Sequence, residues 1–161
     1  MARIRQKSGW FLVRSFWFVV SGFWFMVFGW GKMAQIERFE DIQGWQKARE
    51  LTKEIYRISN QGEFVRDYGL KDQIRRASVS IMSNIAEGFG RGENKEFIQF
   101  LSMAGASASE VQAQLYVAMD VGYITKEQFQ QLFNLAQSTG KLIGGFIRYL
   151  QKSEHKGVKF K

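Results

Sequence analysis

The chain has 161 residues, enough for one domain with a sizeable core, and it contains no cysteine, no proline and a single histidine. The lack of cysteine excludes disulfides and thiolate metal sites. One histidine almost excludes a histidine-based metal site or a Ser-His or Cys-His catalytic pair. Because proline is the residue that most often breaks helices, its absence suits long uninterrupted ones. The composition therefore favours a helical protein that is not an enzyme and holds no metal or other cofactor.

The formal net charge of +8 is concentrated at the two ends of the chain. Residues 1–32 carry five basic residues and no acidic one, and residues 153–161 have a net charge of +2, which leaves +1 for residues 33–152. A basic chain suggests nucleic acid or an acidic surface as a partner. The net charge of the whole chain therefore overstates the evidence that residues 33–152 bind such a partner.

Residues 1–32 form a low-complexity segment of aromatic and basic residues. Ten of the 21 residues from 10 to 30 are aromatic and one is charged. An aromatic pair recurs every seven residues, at positions 10–11, 17–18 and 24–25. This period is typical of a translated tandem DNA repeat, so our preferred interpretation is that the native protein starts at Met33. A membrane or interfacial segment and a heptad association helix are the alternatives, and the absence of a clear small-residue cleavage site disfavours a signal peptide.

Apolar residues recur at helical spacing through most of residues 33–152 and predict four helices. The first has Asp41 as its N-cap and ends at residues 60–62, and the second starts near residue 67 or 69 and stops at Gly88 and Gly90.

The third helix follows Asn94 and ends at Gly122. The fourth begins at Thr125, with Gln128 completing a capping box. Connections this short make neighbouring helices antiparallel. The prediction is an all-α fold, an antiparallel up-down four-helix bundle over residues 33–152, followed by a basic tail over residues 153–161.

Two of the predicted helices have an unusual content of small residues. Residues 103–109 of the third helix are mostly small, which indicates close packing either inside the monomer or against a neighbouring subunit. The fourth helix contains Gly140, Gly144 and Gly145, each of which costs ~1 kcal/mol relative to alanine. Either close packing offsets that cost or the helix bends there.

Residues 70–91, which include the run Ser-Asn-Ile-Ala-Glu-Gly at 83–88, resemble the signature of a known family. The family comprises bacterial four-helix bundle proteins encoded in intervening sequences of large-subunit rRNA genes, often labelled ribosomal proteins. Other matching pieces are residues 39–41, 45–48, 96–101 and 122–124. The resemblance covers residues 37–152 and does not extend to residues 1–32. It implies an up-down four-helix bundle that assembles as a five-fold ring, and a relation to accessory proteins of diversity-generating retroelements, which bind a reverse transcriptase and nucleic acid.

Four polar residues share one face of the second helix, at spacings of seven, four and three. If that face is buried, they need hydrogen-bond partners. We expect an interhelical network that fixes the register, with a functional polar pocket as the alternative. The four residues are Gln73, Ser80, Asn84 and Glu87.

Seven basic residues of the second and fourth helices are candidates for neutralising nucleic-acid phosphates. The alternative for the second helix is a solvated face with intrahelical ion pairs. Binding through these residues would be electrostatic and largely independent of sequence, because aromatic residues for base stacking are sparse beside them. The candidates are Lys71, Arg75, Arg76, Arg91, Lys141, Arg148 and Lys152.

The predicted function is that of a non-enzymatic, oligomeric cytoplasmic bundle that binds RNA or DNA weakly. The expected partner is the chain itself, as a homopentamer. The alternative is a protein-interaction scaffold or accessory subunit for a neighbouring enzyme such as a reverse transcriptase. No small-molecule substrate and no metal are expected.

Overall fold

The computed structural model describes residues 36–152, so the interpretations of residues 1–32 and of the tail 153–161 fall outside the described residues. Four α-helices make up this part: α1 (Gln43–Ile58), α2 (Tyr68–Arg91), α3 (Asn94–Asp120) and α4 (Lys126–Lys152). Short 3-10 helices at Phe39–Asp41 and Gly62–Arg66 precede α1 and α2. The predicted all-α class is confirmed. Across residues 36–152, no helix combines the length and hydropathy that crossing a bilayer requires.

Each helix packs against its neighbours in the chain, and α4 packs back against α1. This is the arrangement of an up-down bundle with short connections. Its two ends are therefore distinct. The start of α1, the end of α2, the start of α3 and the end of α4 lie at one end, called here the α2 C-terminal end, and the opposite termini lie at the α2 N-terminal end.

Most of the core consists of apolar side chains on the inner faces of the four helices, and Phe64 and Ile124 from the connections complete it. Leucine, isoleucine and phenylalanine dominate it, since one apolar stripe of each helix turns inward. A polar tie also joins α1 to α2, where the Thr52 hydroxyl donates a hydrogen bond to the carbonyl oxygen of Ser78 at 3.0 Å. The largest fully buried side chains include Leu51, Ile55, Ile74, Ile81, Ile85, Phe97, Leu101, Leu115 and Ile143.

The helix starts agree with the sequence at α4 and differ at α1. The Thr125 N–H donates to Oε1 of Gln128 at 2.9 Å and the Gln128 N–H donates to Oγ1 of Thr125 at 3.2 Å, which confirms the capping box. The prediction that Asp41 is the N-cap of α1 is wrong, because Asp41 belongs to the preceding 3-10 turn and accepts a hydrogen bond from the Arg38 N–H. Ile42 holds the N-cap position instead.

The prediction that α2 stops at Gly88 and Gly90 is also wrong, because the helix continues to Arg91. It ends where Gly92 adopts a φ of +81°, a left-handed conformation that favours glycine. Gly88 has a packing role. A Cβ atom there would stand 2.6 Å from Cβ of Phe100, so the missing side chain is what lets α3 approach.

The small residues of α3 and the glycines of α4 have different surroundings in the structure. No neighbouring atom lies within 4 Å of a Cβ placed at Gly140, and one placed at Gly144 or Gly145 would meet only the guanidinium of Arg148. Close packing therefore does not offset the cost of these glycines within residues 36–152. In α3, Ala104 and Ala108 are buried inside the bundle.

Candidate functional site

The basic cluster near the start of α2 is largely occupied by contacts within the chain. The Lys71 ammonium donates a hydrogen bond to the carbonyl oxygen of Val65 at 2.6 Å and lies 4.4 Å from the ring centre of Tyr68. The Arg76 guanidinium forms an exposed ion pair with Asp72, with 3.3 Å between Nε and Oδ2. Both cations thus have local partners that a phosphate would have to compete with.

Arg75 joins the beginning of α2 to the end of α1. Its Nε donates to the hydroxyl of Ser59 at 2.8 Å and its Nη2 donates to Oδ1 of Asn60 at 2.7 Å. Ser59 is fully buried, and the guanidinium also lies 4.6 Å from the ring centre of Tyr56. These contacts give Arg75 a structural role, since it satisfies polar groups at a helix end.

Arg91 lies at the other end of α2. Sixteen residues separate it from Arg75, which is ~24 Å along a helix. Its guanidinium pairs with Glu87 at 2.7 Å and lies 5.3 Å from the ring centre of Phe100. The structure therefore does not bring Arg91 together with the cluster near the start of α2.

The basic residues of α4 are the least engaged of the candidates. The Lys141 ammonium donates to Oε1 of Gln137 at 2.9 Å. Arg148 and Lys152 are exposed at the α2 C-terminal end and form no ion pair within residues 36–152. The seven candidates are consequently spread along the bundle: three lie near the start of α2, Lys141 lies midway along α4, and the other three lie at the α2 C-terminal end.

The polar face of α2 forms a smaller network than its spacing suggested. The Asn84 amide donates to the carbonyl oxygen and to the hydroxyl of Ser80, at 2.9 and 3.0 Å, and that hydroxyl lies 3.0 Å from the hydroxyl of Ser107 on α3. Gln73 is exposed, and Glu87 pairs with Arg91 at the surface. Two of the four predicted residues therefore join a partner on α3, while the other two lie outside this contact.

Two grooves flank α1, and they differ in charge. The groove between α1 and α4 encloses about 480 Å³. Its charged residues neutralise one another, because Lys47 pairs with Glu50 and Arg57 pairs with Glu54, both at 2.7 Å.

The groove between α1 and α2 is shallow and open to solvent, has a volume of about 430 Å³, and is lined by two basic residues and no acidic one. Sequence reasoning did not select it. The signal was the spacing of Arg49, Lys53 and Tyr56 along one face of α1. The lining residues are Arg49, Thr52, Lys53, Tyr56, Val79, Met82 and Ser83.

The outward side of α3 carries almost no charge. Between Phe97 and Met119 the chain has one charged residue, Glu110. Large apolar side chains are nevertheless exposed there, with Met103 at 46% and Val117 at 48%. The exposed polar residues on this side are mostly uncharged, such as Ser102 and Ser109, so the side is nearly uncharged and partly apolar.

Two groups at the α2 N-terminal end have shifted pKa values, Tyr123 in the turn between α3 and α4 and Glu127 in the first turn of α4. Partial burial raises the pKa of Tyr123, and the carboxylate of Asp67, which accepts its hydroxyl at 3.2 Å, adds to that increase. Hydrogen bonds from its own backbone N–H and from Thr125 lower the pKa of Glu127. Asp67 also caps α2 by accepting the Leu70 N–H at 2.9 Å. The shift of Glu127 thus has a local cause at the start of α4, whereas that of Tyr123 comes from burial and from its contact with Asp67 before α2.

The fold and these surfaces define an up-down four-helix bundle protein with open grooves and a nearly uncharged outer face on α3. Residues 40–145 match the family model of the 23S rRNA-intervening sequence protein, and the chain belongs to this family. It is similar to a solved protein of unknown function from the S23 ribosomal protein family of Bacteroides thetaiotaomicron. The two are 26% identical with a TM-score of 0.60, and the match covers 65% of this chain and 98% of the other. No curated protein matches the chain.

Proposed function

We propose that this protein is a non-catalytic, self-associating bundle that acts in the cytoplasm as a binding scaffold. The observation that carries the proposal is the nearly uncharged outer side of α3, where Glu110 is the one charged residue between Phe97 and Met119. An exposed face of this kind, bearing Met103 and Val117, is stabilised when another protein surface covers it. A second copy of the chain is the proposed cover, and the family resemblance supports a ring of five.

The electrostatics of the described residues support a role without catalysis. Catalytic groups are typically clustered in a cleft where their pKa values are displaced. Here the groups with displaced pKa values lie at helix starts or in turns. A helix cap, an adjacent ion pair or, for Tyr123, partial burial beside Asp67 explains each displacement. These groups are Arg38, Glu40, Tyr123 and Glu127.

Light scattering on the purified full chain at micromolar concentration tests self-association. The wild-type protein should have about five times the mass of one chain. A double variant with Met103→Lys and Val117→Lys should dissociate, because lysines buried in an apolar contact are strongly unfavourable.

The matched control places the same two charges elsewhere, with Gln130→Lys and Gln137→Lys on the exposed side of α4. It should keep the wild-type mass, and circular dichroism should show unchanged helix content in both variants. A monomeric wild type, or an unchanged mass in the α3 variant, would refute the proposed contact.

A second candidate function is weak binding of RNA or DNA, and the free charges at the end of α4 favour it. Arg148 and Lys152 have no competing ion pair within residues 36–152, unlike Arg76 and Arg91. Contacts of this kind release counterions from the phosphates, so binding weakens steeply with salt.

Anisotropy titrations of labelled RNA and DNA at several salt concentrations test this candidate. Arg148→Gln with Lys152→Gln should reduce the slope of log affinity against log salt by about two, one for each phosphate contact. Lys71→Gln with Arg76→Gln removes the same charge and should change the slope little. Absence of binding at low salt, or equal effects of the two pairs, would exclude this assignment.

A neighbouring enzyme is the other kind of partner that the scaffold role accommodates. By resemblance, a reverse transcriptase is an example of such a partner. Co-purification with a reverse transcriptase encoded beside this gene would support that role, and a gene location inside an rRNA operon would favour the intervening-sequence role.

A further inference from the structure

The groove between α1 and α2 has an unbalanced positive charge. Arg49 lies 5.9 Å from the ring centre of Trp45, and neither Arg49 nor Lys53 forms an ion pair within residues 36–152. Arg75 lies against Tyr56 at the end of the same groove. The groove on the other side of α1 holds as many cations but pairs each of them with a glutamate. The excess charge is therefore local to one side of one helix.

The floor of this groove is apolar and adaptable. Val79 is 39% exposed and Tyr56 41% exposed, and Met82 packs against the core beneath them. Methionine beside aliphatic and aromatic groups is typical of surfaces that accept apolar side chains of varied shape. An apolar floor with a cationic rim fits a ligand that is itself amphipathic and acidic.

The dimensions suit a helix. From Arg49 to Tyr56 the groove follows seven residues of α1, which is ~10 Å, or two helical turns. An amphipathic helix can place apolar residues spaced three, four and seven apart into such a groove. Its acidic residues, one turn apart, would match Arg49 and Lys53, which are four residues apart on α1.

Nucleic acid fits the same groove less well. Val79 and Met82 offer no flat surface for a base, and the guanidinium of Arg75 already covers one face of the Tyr56 ring. Base stacking on aromatic rings supplies much of the affinity in single-strand recognition. The apolar floor is thus better matched by aliphatic side chains.

We propose that the α1–α2 groove binds an acidic amphipathic helical segment of another protein. Val79, Met82 and Tyr56 contact the apolar face of that helix. Arg49 and Lys53 pair with its carboxylates. This assigns the groove to a partner that differs in chemistry from both a second copy of the chain and a nucleic acid.

The test uses a labelled helical peptide with leucines spaced three, four and seven residues apart and glutamates flanking them, titrated with the full chain at low salt. We expect a dissociation constant on the order of 100 μM. Arg49→Gln with Lys53→Gln should weaken binding about tenfold, as expected for the loss of two exposed ion pairs. Val79→Ser should also weaken binding several-fold, because it removes apolar contact area.

The matched control is Lys47→Gln with Arg57→Gln, which removes the same charge from the opposite side of α1. It should leave peptide affinity unchanged, and circular dichroism should show equal helix content in all variants. A peptide with lysines in place of the glutamates should bind at least tenfold more weakly than the acidic one.

Four outcomes would overturn the proposal: no binding of the acidic peptide, equal loss of affinity in the two double variants, equal binding of the acidic and basic peptides, or no effect of Val79→Ser. Tighter binding of an RNA oligonucleotide that is lost in the Arg49 and Lys53 variant would assign the groove to nucleic acid instead. Loss of self-association in that variant, measured by light scattering, would assign it to a second copy.

Discussion

Replacing Gly88 with alanine tests the contact that lets α2 and α3 approach. In an open helix interior this change stabilises a protein by ~1 kcal/mol. At Gly88 the new Cβ atom would stand 2.6 Å from Cβ of Phe100 and 2.7 Å from a ring carbon of Phe97. Favourable carbon contacts lie near ~3.5–4 Å. Because Cβ of Phe100 is bonded to the α3 backbone, relief requires the two helices to separate.

Overpacking of this kind costs ~1–3 kcal/mol. A gap about 1 Å too short, against an atom fixed to the backbone, places Gly88→Ala near ~3 kcal/mol. After subtraction of the gain in helix propensity, we expect the free energy of unfolding to fall by ~2 kcal/mol. Gly140→Ala is the matched control, because no neighbouring atom lies within 4 Å of its new Cβ. It should raise the free energy of unfolding by ~1 kcal/mol.

Thermal and urea unfolding followed by circular dichroism measure both variants, at one protein concentration because association also contributes to stability. The difference of ~3 kcal/mol corresponds to a separation in Tm on the order of 10 °C for a body of this size. Equal stabilisation by the two substitutions would refute the close contact at Gly88. Destabilisation by Gly140→Ala would refute the open surroundings of that residue.

Four further substitutions test individual side-chain contacts. Arg75→Ala should lower the free energy of unfolding, measured in urea, by ~2 kcal/mol, because two charged hydrogen bonds and a ring contact are lost. Arg76→Ala should lower it by under ~0.5 kcal/mol, because its ion pair is exposed. Equal losses in the two variants would contradict this. Thr125→Ala should cost ~1 kcal/mol through loss of the cap, and no change would contradict the capping box. The pKa of Tyr123 is higher in the folded protein than its usual value of 10.0, so the neutral side chain stabilises the fold at lower pH. That stabilisation is lost as the pH rises through the raised pKa. Tyr123→Phe should therefore show a smaller fall in Tm between about pH 8 and about pH 11 than the wild type, and parallel curves would contradict this.

Rules based on residues close together in the sequence predicted the positions of the helices well, but they predicted the helix ends less well. The capping box at Thr125 is a contact between residues three apart, so the sequence contains all of it. Gly88 is different, because its role depends on Phe97 and Phe100 of the next helix. Glycine at a helix stop and glycine under a packed helix look alike in the sequence. The prediction that Asp41 caps α1 was wrong for a related reason, because its carboxylate accepts a hydrogen bond within the preceding 3-10 turn.

Basic residues illustrate a further limit of sequence reasoning. A composition counts every cation equally, but binding depends on which cations lack a partner. Arg75 is four residues from Lys71 and adjacent to Arg76, which made the three look like one phosphate site. Its two hydrogen bonds go to residues 15 and 16 positions away in the chain, and only the packing of α1 against α2 brings them into reach.

The same argument points to where free charge remains. On α1, glutamates lie three residues from Lys47 and from Arg57, on the side of the helix that faces α4, and these ion pairs neutralise that side. Arg49 and Lys53 face the α1–α2 groove, where α2 contributes Val79, Met82 and Ser83 and no carboxylate. The four-residue spacing of Arg49 and Lys53 is the sequence signal that puts them on one face of α1. The sequence did not show which surface of α2 faces these two residues. Because that surface has no carboxylate, Arg49 and Lys53 are available to an acidic partner.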